Sequence, residues 1–248
     1  MKRAMLSKAG TTAFLVVLTA ACSAPVPPKR TEAPDAAASG WTRPPAILSV
    51  RRVSASLVFT GEAEPGTRVV LRHDSGAAYA VAADGRGLFE IRMAAPVGDL
   101  WLQPETQIGQ DAAPSPDRLL IVAGGRGPIA ILRSGGPTRR LDRAPALCAV
   151  DSDGRMRLAS GQAAGTVPIE VRAAGESVRV TPAAGRWSLM LRPVNGPDGI
   201  EVGGSRFAWP GESGAGPVPR VERAGQGWRA VWTGAGGARQ TTWLPDPA

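Results

Sequence analysis

Histidine, lysine, tyrosine and cysteine are nearly absent from this chain, and the shortages close off particular chemistries. One histidine, His73, and two cysteines, Cys22 and Cys148, stand among 248 residues. A zinc site needs Cys and His at short, set spacings. No such grouping occurs, and no metal or other cofactor is expected. A Ser-His-Asp relay needs a base held beside a nucleophile and oriented by a carboxylate. His73 lies between Arg72 and Asp74-Ser75, where a strand enters a turn, and reads as a surface residue. No G-x-S-x-G elbow is present. Gly214–Gly216 and Gly234–Gly237 lack the Lys-Ser/Thr pair of a phosphate loop. The carboxylates Glu62/Glu64 and Asp151/Asp153 are placed in turns, where hairpin and solubility roles suffice. Asp151-Ser152-Asp153-Gly154 lacks the further oxygen ligands and closing Glu of a calcium loop. An enzyme is not expected, and no catalytic residue is assigned.

Lysine occurs only at positions 2, 8 and 29, so 26 of the 29 basic residues are arginine. With abundant Ala, Gly and Pro, that skew is also what GC-rich coding produces. The arginines are scattered, with adjacent pairs only at Arg51-Arg52 and Arg139-Arg140. A dedicated nucleic-acid binder concentrates its charge in a patch or stripe. A net charge of +8 therefore does not make nucleic acid an expected partner.

What the chain does have is turns and a repeat. Its 31 Gly and 23 Pro suit an all-β chain with frequent reversals. The stretch Gly61–Met93 returns as Gly161–Arg192. Gly61, Ala63, Gly66 and Thr67 match Gly161, Ala163, Gly165 and Thr166. Val69/Leu71 match Ile169/Val171, Tyr79/Val81 match Val178/Val180, and Gly85-Arg86 is matched with Gly185-Arg186. Two domains are expected, at 41–143 and 144–248.

The first 21 residues read as an export signal. Lys2, Arg3 and Lys8 form a basic start. Ala13–Leu18 (AFLVVL) is an apolar run too short for the ~20 residues that span a bilayer. Small residues then precede Cys22. Leu18-Thr19-Ala20-Ala21-Cys22 resembles the lipobox of bacterial lipoproteins, with Leu one place further from the Cys than usual. The resemblance implies cleavage before Cys22 and acylation there, with a membrane as partner through that anchor. Acyl chains contribute about 0.8 kcal/mol per buried CH₂. Ser23, rather than Asp, after the Cys implies the outer membrane, with the body facing the periplasm. Residues 22–40, rich in Pro and Ala and without periodicity, read as a disordered tether. Extended, such a tether reaches ~3.1 Å per residue. Cys148, in the strand-like run Ala146–Val150, reads as a small buried core residue.

In the first domain, Ala46–Val53, Ser56–Thr60, Thr67–His73, Ala77–Ala82 and Leu88–Met93 are expected strands. Their period-two pattern is that of half-buried antiparallel strands. Leu100–Leu102, Arg118–Ala123 and Ile129–Arg133 follow. Gln103–Asp117, polar and with three prolines, is expected to be an exposed loop. In the second domain, Ala146–Val150 and Arg155–Ser160 precede a core set of Val167, Ile169, Val171, Val178, Val180, Trp187, Leu189 and Leu191. Ile200–Trp209 is expected as one strand with a bulge at Gly203-Gly204, and Gly211–Pro219 as a loop. Trp228–Thr233 and Arg239–Leu244 form an expected hairpin. Its residues Trp228 and Trp232 are either core or a ligand-binding platform on which a sugar could stack.

Gly61-Glu-Ala-Glu-Pro-Gly-Thr with Ala83-Asp84-Gly85, and Gly161-Gln-Ala-Ala-Gly-Thr with Gly185-Arg186-Trp187, resemble bacterial immunoglobulin-like domains. The second copy lacks the Pro and has Ala184 where that family's pattern has Asp. The resemblance implies an all-β chain: two tandem immunoglobulin-like β-sandwich domains after a signal peptide and tether. It says little about function. The expected role is a non-enzymatic envelope lipoprotein, a scaffold or adaptor for another envelope protein. The alternative is a polysaccharide or peptidoglycan binder using exposed Trp and Arg.

Overall fold

Alternating apolar and polar residues become sheet throughout the computed structural model, which describes residues 43–247 apart from Gln110, Asn195 and Ser213. The signal sequence, Cys22 and the tether lie outside the described residues. Strand accounts for 57% of the described residues, and no α-helix occurs among them.

The first lobe is a sandwich. One layer is the three-stranded sheet β1 (Ala46–Val53), β2 (Ser56–Glu62) and β5 (Leu88–Ala94). The other contains β3 (Arg68–His73), β4 (Ala78–Ala82), β6 (Leu100–Ile108), β7 (Asp111–Pro114), β8 (Asp117–Ile121), β9 (Ile129–Arg133) and β10 (Arg139–Arg140). Its order is β10-β9-β8-β6-β3-β4, with β7 folded onto β6. Ile47, Leu57, Phe59, Phe89 and Ile91 face Val69, Leu71, Leu102, Leu119 and Ile121 across the core.

The second lobe repeats the plan. Its six-stranded sheet contains β11 (Leu147–Ser152), β12 (Arg157–Gln162), β15 (Arg186–Leu191), β18 (Arg220–Arg223), β19 (Gly227–Thr233) and β20 (Arg239–Pro245). The order is β15-β12-β11-β20-β19-β18. The opposing sheet runs β14-β13-β16-β17, from β13 (Ile169–Ala173), β14 (Glu176–Val180), β16 (Asp198–Val202) and β17 (Ser205–Trp209). Trp209 and Trp243 meet edge to face between these sheets, with ring centroids 6.1 Å apart. The Trp243 indole N–H donates to the Ala224 carbonyl at 3.0 Å.

A third core joins the lobes. It contains Trp101, Leu120, Val122, Ala130 and Leu132 from the first lobe and Ala149, Ala230, Trp232 and Leu244 from the second. The same strands feed two cores by alternation. Leu119 and Ile121 point into the first sandwich, while Leu120 points into the joint. Trp243 points into the second sandwich and Leu244 into the joint. Strands buried on both faces read as continuous apolar runs rather than alternating ones. The described residues belong to one compact unit.

The repeated glycines have a defined job. A Cβ on Gly61 would sit 2.3 Å from the Ala46 carbonyl oxygen and 2.3 Å from the Phe89 ring. A Cβ on Gly161 would sit 2.0 Å from the Ala146 carbonyl oxygen and 2.5 Å from the Trp187 indole nitrogen. Each glycine lets an aromatic side chain lie flat on the neighbouring strand beside a register shift, between Ile47 and Ser49 or between Leu147 and Ala149. The pairing equates Phe89 with Trp187 and Gly87 with Gly185. This shifts the expected match of Gly85-Arg86 to Gly185-Arg186 by two residues. The first copy turns through Asp84–Gly87, with the Asp84 carboxylate accepting from the Arg86 and Leu88 amides at 2.8 and 2.9 Å. The second turns through only Ala184 and Gly185, at φ of 49° and 72°.

Several expectations are corrected. Gln103–Asp117 is not an exposed loop: most of it is the β6–β7 hairpin, with Glu105 and Thr106 buried. Its polar side chains find distant partners. Glu105 is paired with Arg72, and the Thr106 hydroxyl donates to the Arg43 carbonyl at 2.9 Å. Ile200–Trp209 is not a bulged strand but the hairpin β16–β17, because Gly203 and Gly204 both take positive φ, 55° and 86°, as a tight two-residue turn requires. Val167 is 74% exposed and stands outside the core.

Candidate functional site

The joint between the lobes carries the chain's most unusual polar groups. The connection from β10 to β11 begins at Arg140, whose side chain is fully buried. It makes a two-pronged bond to Asp142 at 2.7 and 2.5 Å, and donates to the carbonyls of Pro245 at 3.0 Å and Cys148 at 3.3 Å. A buried guanidinium needs such complete pairing to offset its desolvation. Removing Asp142 would leave it uncompensated.

Asp151 is a second charge-bearing group at the joint. Its carboxylate accepts from the Thr138 amide at 2.8 Å, the Thr138 hydroxyl at 2.6 Å and the Thr242 hydroxyl at 2.7 Å. Thr242 in turn accepts the Trp232 indole N–H at 3.2 Å. A chain of hydrogen bonds thus crosses from the first lobe through Asp151 into β20 and β19. Loss of surrounding water pushes the Asp151 pKa up to about 6, against the pull of its hydrogen bonds. The expectation that Asp151 lies in a turn is corrected: it is a strand residue of β11, and only Asp153 serves the turn, accepting from the Arg155 and Met156 amides.

Next to the joint, a cleft of about 510 Å³ opens between the lobes. The first lobe contributes Pro45, Ile47, Asp117, Arg118, Arg133 and, from β10, Arg139. The second lobe contributes Gly161, Arg186 and Trp187. Arg133 is held bidentately by Asp117 at 2.7 and 2.6 Å, which raises its pKa. Arg118 pairs with Asp74 at 2.6 Å. Arg139 donates to the Ile47 carbonyl, a neutral acceptor. Burial first, and then the nearby positive charge of Arg186, lower the Arg139 pKa. The cleft therefore offers hydrogen-bond donors and positive charge. The sequence did not single out Arg139 or Arg186 as site residues. The available signal was the Arg139-Arg140 pair at the domain boundary; the sequence match set Arg186 against Arg86 and hid its difference from Leu88.

The expected residues are placed as follows. Trp232 is 2% exposed and sealed in the inter-lobe core. A stacking platform needs an open ring face, and Trp232 has none. Trp228 is half-buried against the same core, with the Arg223 guanidinium 4.8 Å above its ring. His73 ends β3, its Nδ1 accepting from the Ser75 amide at 2.9 Å. Cys148 is buried, and burial pushes its thiol up to about 11, far from the thiolate range of reactive cysteines. Cys22 lies outside the described residues. Among the described residues, no cluster of His, Cys, Asp and Glu could hold a metal ion, and no helix is long and apolar enough to cross a membrane. The chain matches no protein-family model and none of the curated protein sequences.

Proposed function

We propose that this chain is a non-enzymatic lipoprotein of the cell envelope, anchored through Cys22 in the outer membrane and facing the periplasm. Its double-sandwich body serves as a scaffold or adaptor for another envelope protein. The observation that carries this reading is the inter-lobe core around Trp232, Leu120 and Leu244. It packs the two sandwiches into one compact unit, which would present surfaces on both lobes in a set relation. A scaffold needs that property, whereas two domains on a flexible hinge would lack it. The lipobox-like run and the tether supply the anchor and the reach. The ionised groups of the strands favour a structural role as well: Arg72–Glu105, Arg133–Asp117 and Arg157–Asp198 are paired within the body.

The test has two arms. Cells fed an alkyne-bearing fatty acid should label the wild-type chain and not Cys22→Ser, and only the wild type should fractionate with outer membranes. In-cell photocrosslinking from the exposed face of β14 or β7 should trap one defined envelope protein. A chain that stays unlabelled and soluble, or that crosslinks to nothing, overturns the reading.

A further inference from the structure

The inter-lobe cleft has an imbalance that the rest of the body does not explain. Pairing each carboxylate with its arginine leaves two guanidinium groups over. Asp117 is taken by Arg133, Asp74 by Arg118 and Asp142 by Arg140. Arg139 and Arg186 both line the cleft and have no carboxylate within ion-pair reach among the described residues. The charge of Arg186 lowers the Arg139 pKa by more than Asp117, already held by Arg133, raises it. Like charges facing one cleft are unfavourable unless an anion joins them. Arginine's planar fork matches carboxylate and phosphate oxygens bidentately.

The walls set the rest of the ligand. Pro45, Pro104, Pro137 and Val180 give the cleft apolar lining. Its volume of about 510 Å³ is that of a small-molecule pocket, for which ~300–1,000 Å³ is usual. The two lobes share the work: Arg139 is the first residue of β10 in the first lobe, and Arg186 the first residue of β15 in the second. In the first copy the position equivalent to Arg186 is Leu88, so the charge is not part of the repeated fold.

We propose that the inter-lobe cleft binds a small organic oxyanion, a carboxylate or phosphate on an apolar body, clamped between Arg139 and Arg186. The proposal goes beyond the reading of the chain as a scaffold and does not rest on it. It does not depend on the lipid anchor, since every residue involved lies at position 45 or beyond.

Titration calorimetry of the full-length chain with 2-naphthoate, 2-naphthyl phosphate and the neutral 2-naphthol tests it. One or both anions should bind, more weakly as salt rises, and 2-naphthol should bind far less. Binding of naphthoate alone assigns a carboxylate ligand, and binding of naphthyl phosphate alone a phosphate ligand. Arg186→Ala should weaken the anion about ten- to hundredfold, the worth of a charge-assisted hydrogen bond, and Arg186→Glu should abolish it. Arg92→Ala, on the outer sheet of the first lobe, should bind as the wild type does. Arg186 is exposed, and circular dichroism checks that its variants fold. No anion binding at millimolar concentration, equal binding of 2-naphthol, or unchanged binding to Arg186→Glu overturns the proposal. The Cys22→Ser chain should bind as the wild type, so failure of the anchor and failure of the cleft are told apart.

Discussion

The two lobes begin alike and finish on opposite sides. Each starts with a hairpin whose second strand carries a glycine against an aromatic ring, Gly61 with Phe89 and Gly161 with Trp187. In the first lobe, β8, β9 and β10 extend the sheet that holds β3 and β6. In the second, the chain leaves β17 and crosses over, so that β20, β19 and β18 extend the sheet that holds β11 and β12. The extended sheets are the two that meet at the inter-lobe core. Repetition thus set each sandwich, and divergence after the repeat set the joint. A lobe alone would expose an apolar outer face built from Leu120, Ala130 and Leu132, or from Ala149, Trp232 and Leu244. Patches of that kind lead to association.

Three experiments would break or sharpen this contrast. The largest effect belongs to the joint. Trp232→Ala should cost about 3–5 kcal/mol, the usual range for emptying a buried aromatic site. Urea unfolding followed by tryptophan fluorescence and by proteolysis should then separate the lobes into two transitions. A single shared transition at unchanged midpoint would show that the joint adds nothing to stability.

A smaller effect follows from Asp151. Its carboxyl titrates near 3.9 when unfolded and about 6 in the fold, so the native chain holds the proton more tightly. The contribution is complete below about pH 4 and is lost as pH rises through about 6, by an amount on the order of 3 kcal/mol. Urea midpoints between pH 4 and 7 should fall less steeply in Asp151→Asn than in the wild type. Glu105 in the first lobe works the other way. The hydrogen bond from Arg72 lowers its pKa, so its stabilisation is lost as pH falls.

The smallest effect lies in the turn where the copies part. Ala184 holds φ at 49°, a left-handed conformation that alanine adopts at a cost. Asn before Gly is favoured in such two-residue turns. Ala184→Asn should raise stability by about 0.5–1 kcal/mol in thermal melts. The equivalent turn of the first copy is two residues longer and already held by the Asp84 carboxylate, so it has no comparable gain to make.

Much of the fold was legible because half-buried strands alternate. β1 and β9 fall on their expected residues, and β3, β4 and β5 within one residue of them. The joint was not legible. Leu119-Leu120-Ile121-Val122 and Ile129-Ala130-Ile131-Leu132 are apolar on both faces, and no local pattern says that a second lobe covers one of them. β18 was missed because Arg220, Glu222 and Arg223 look like loop residues. Their partners Arg229 and Asp246 come later in the chain. The Gln103–Asp117 segment failed for the same reason, since Arg72 and Arg43 satisfy its polar groups from afar. Of the cleft, the Arg139-Arg140 pair was visible as a pair. Its meeting with Arg186 depends on how the lobes dock.

The position of β20 governs the order in which the molecule can be assembled. The strand is internal to its sheet, between β11 and β19, and its Thr242 meets Asp151, 91 residues earlier. The first lobe has all its strands once the chain has been made as far as Arg140. The second must wait for Arg239–Pro245 before β11 gains its neighbour. Contacts of such long separation form late. Throughout that interval the Leu120 and Leu132 face of the finished lobe stands open to water and to other chains. The step most open to misassociation is therefore the arrival of the last strand.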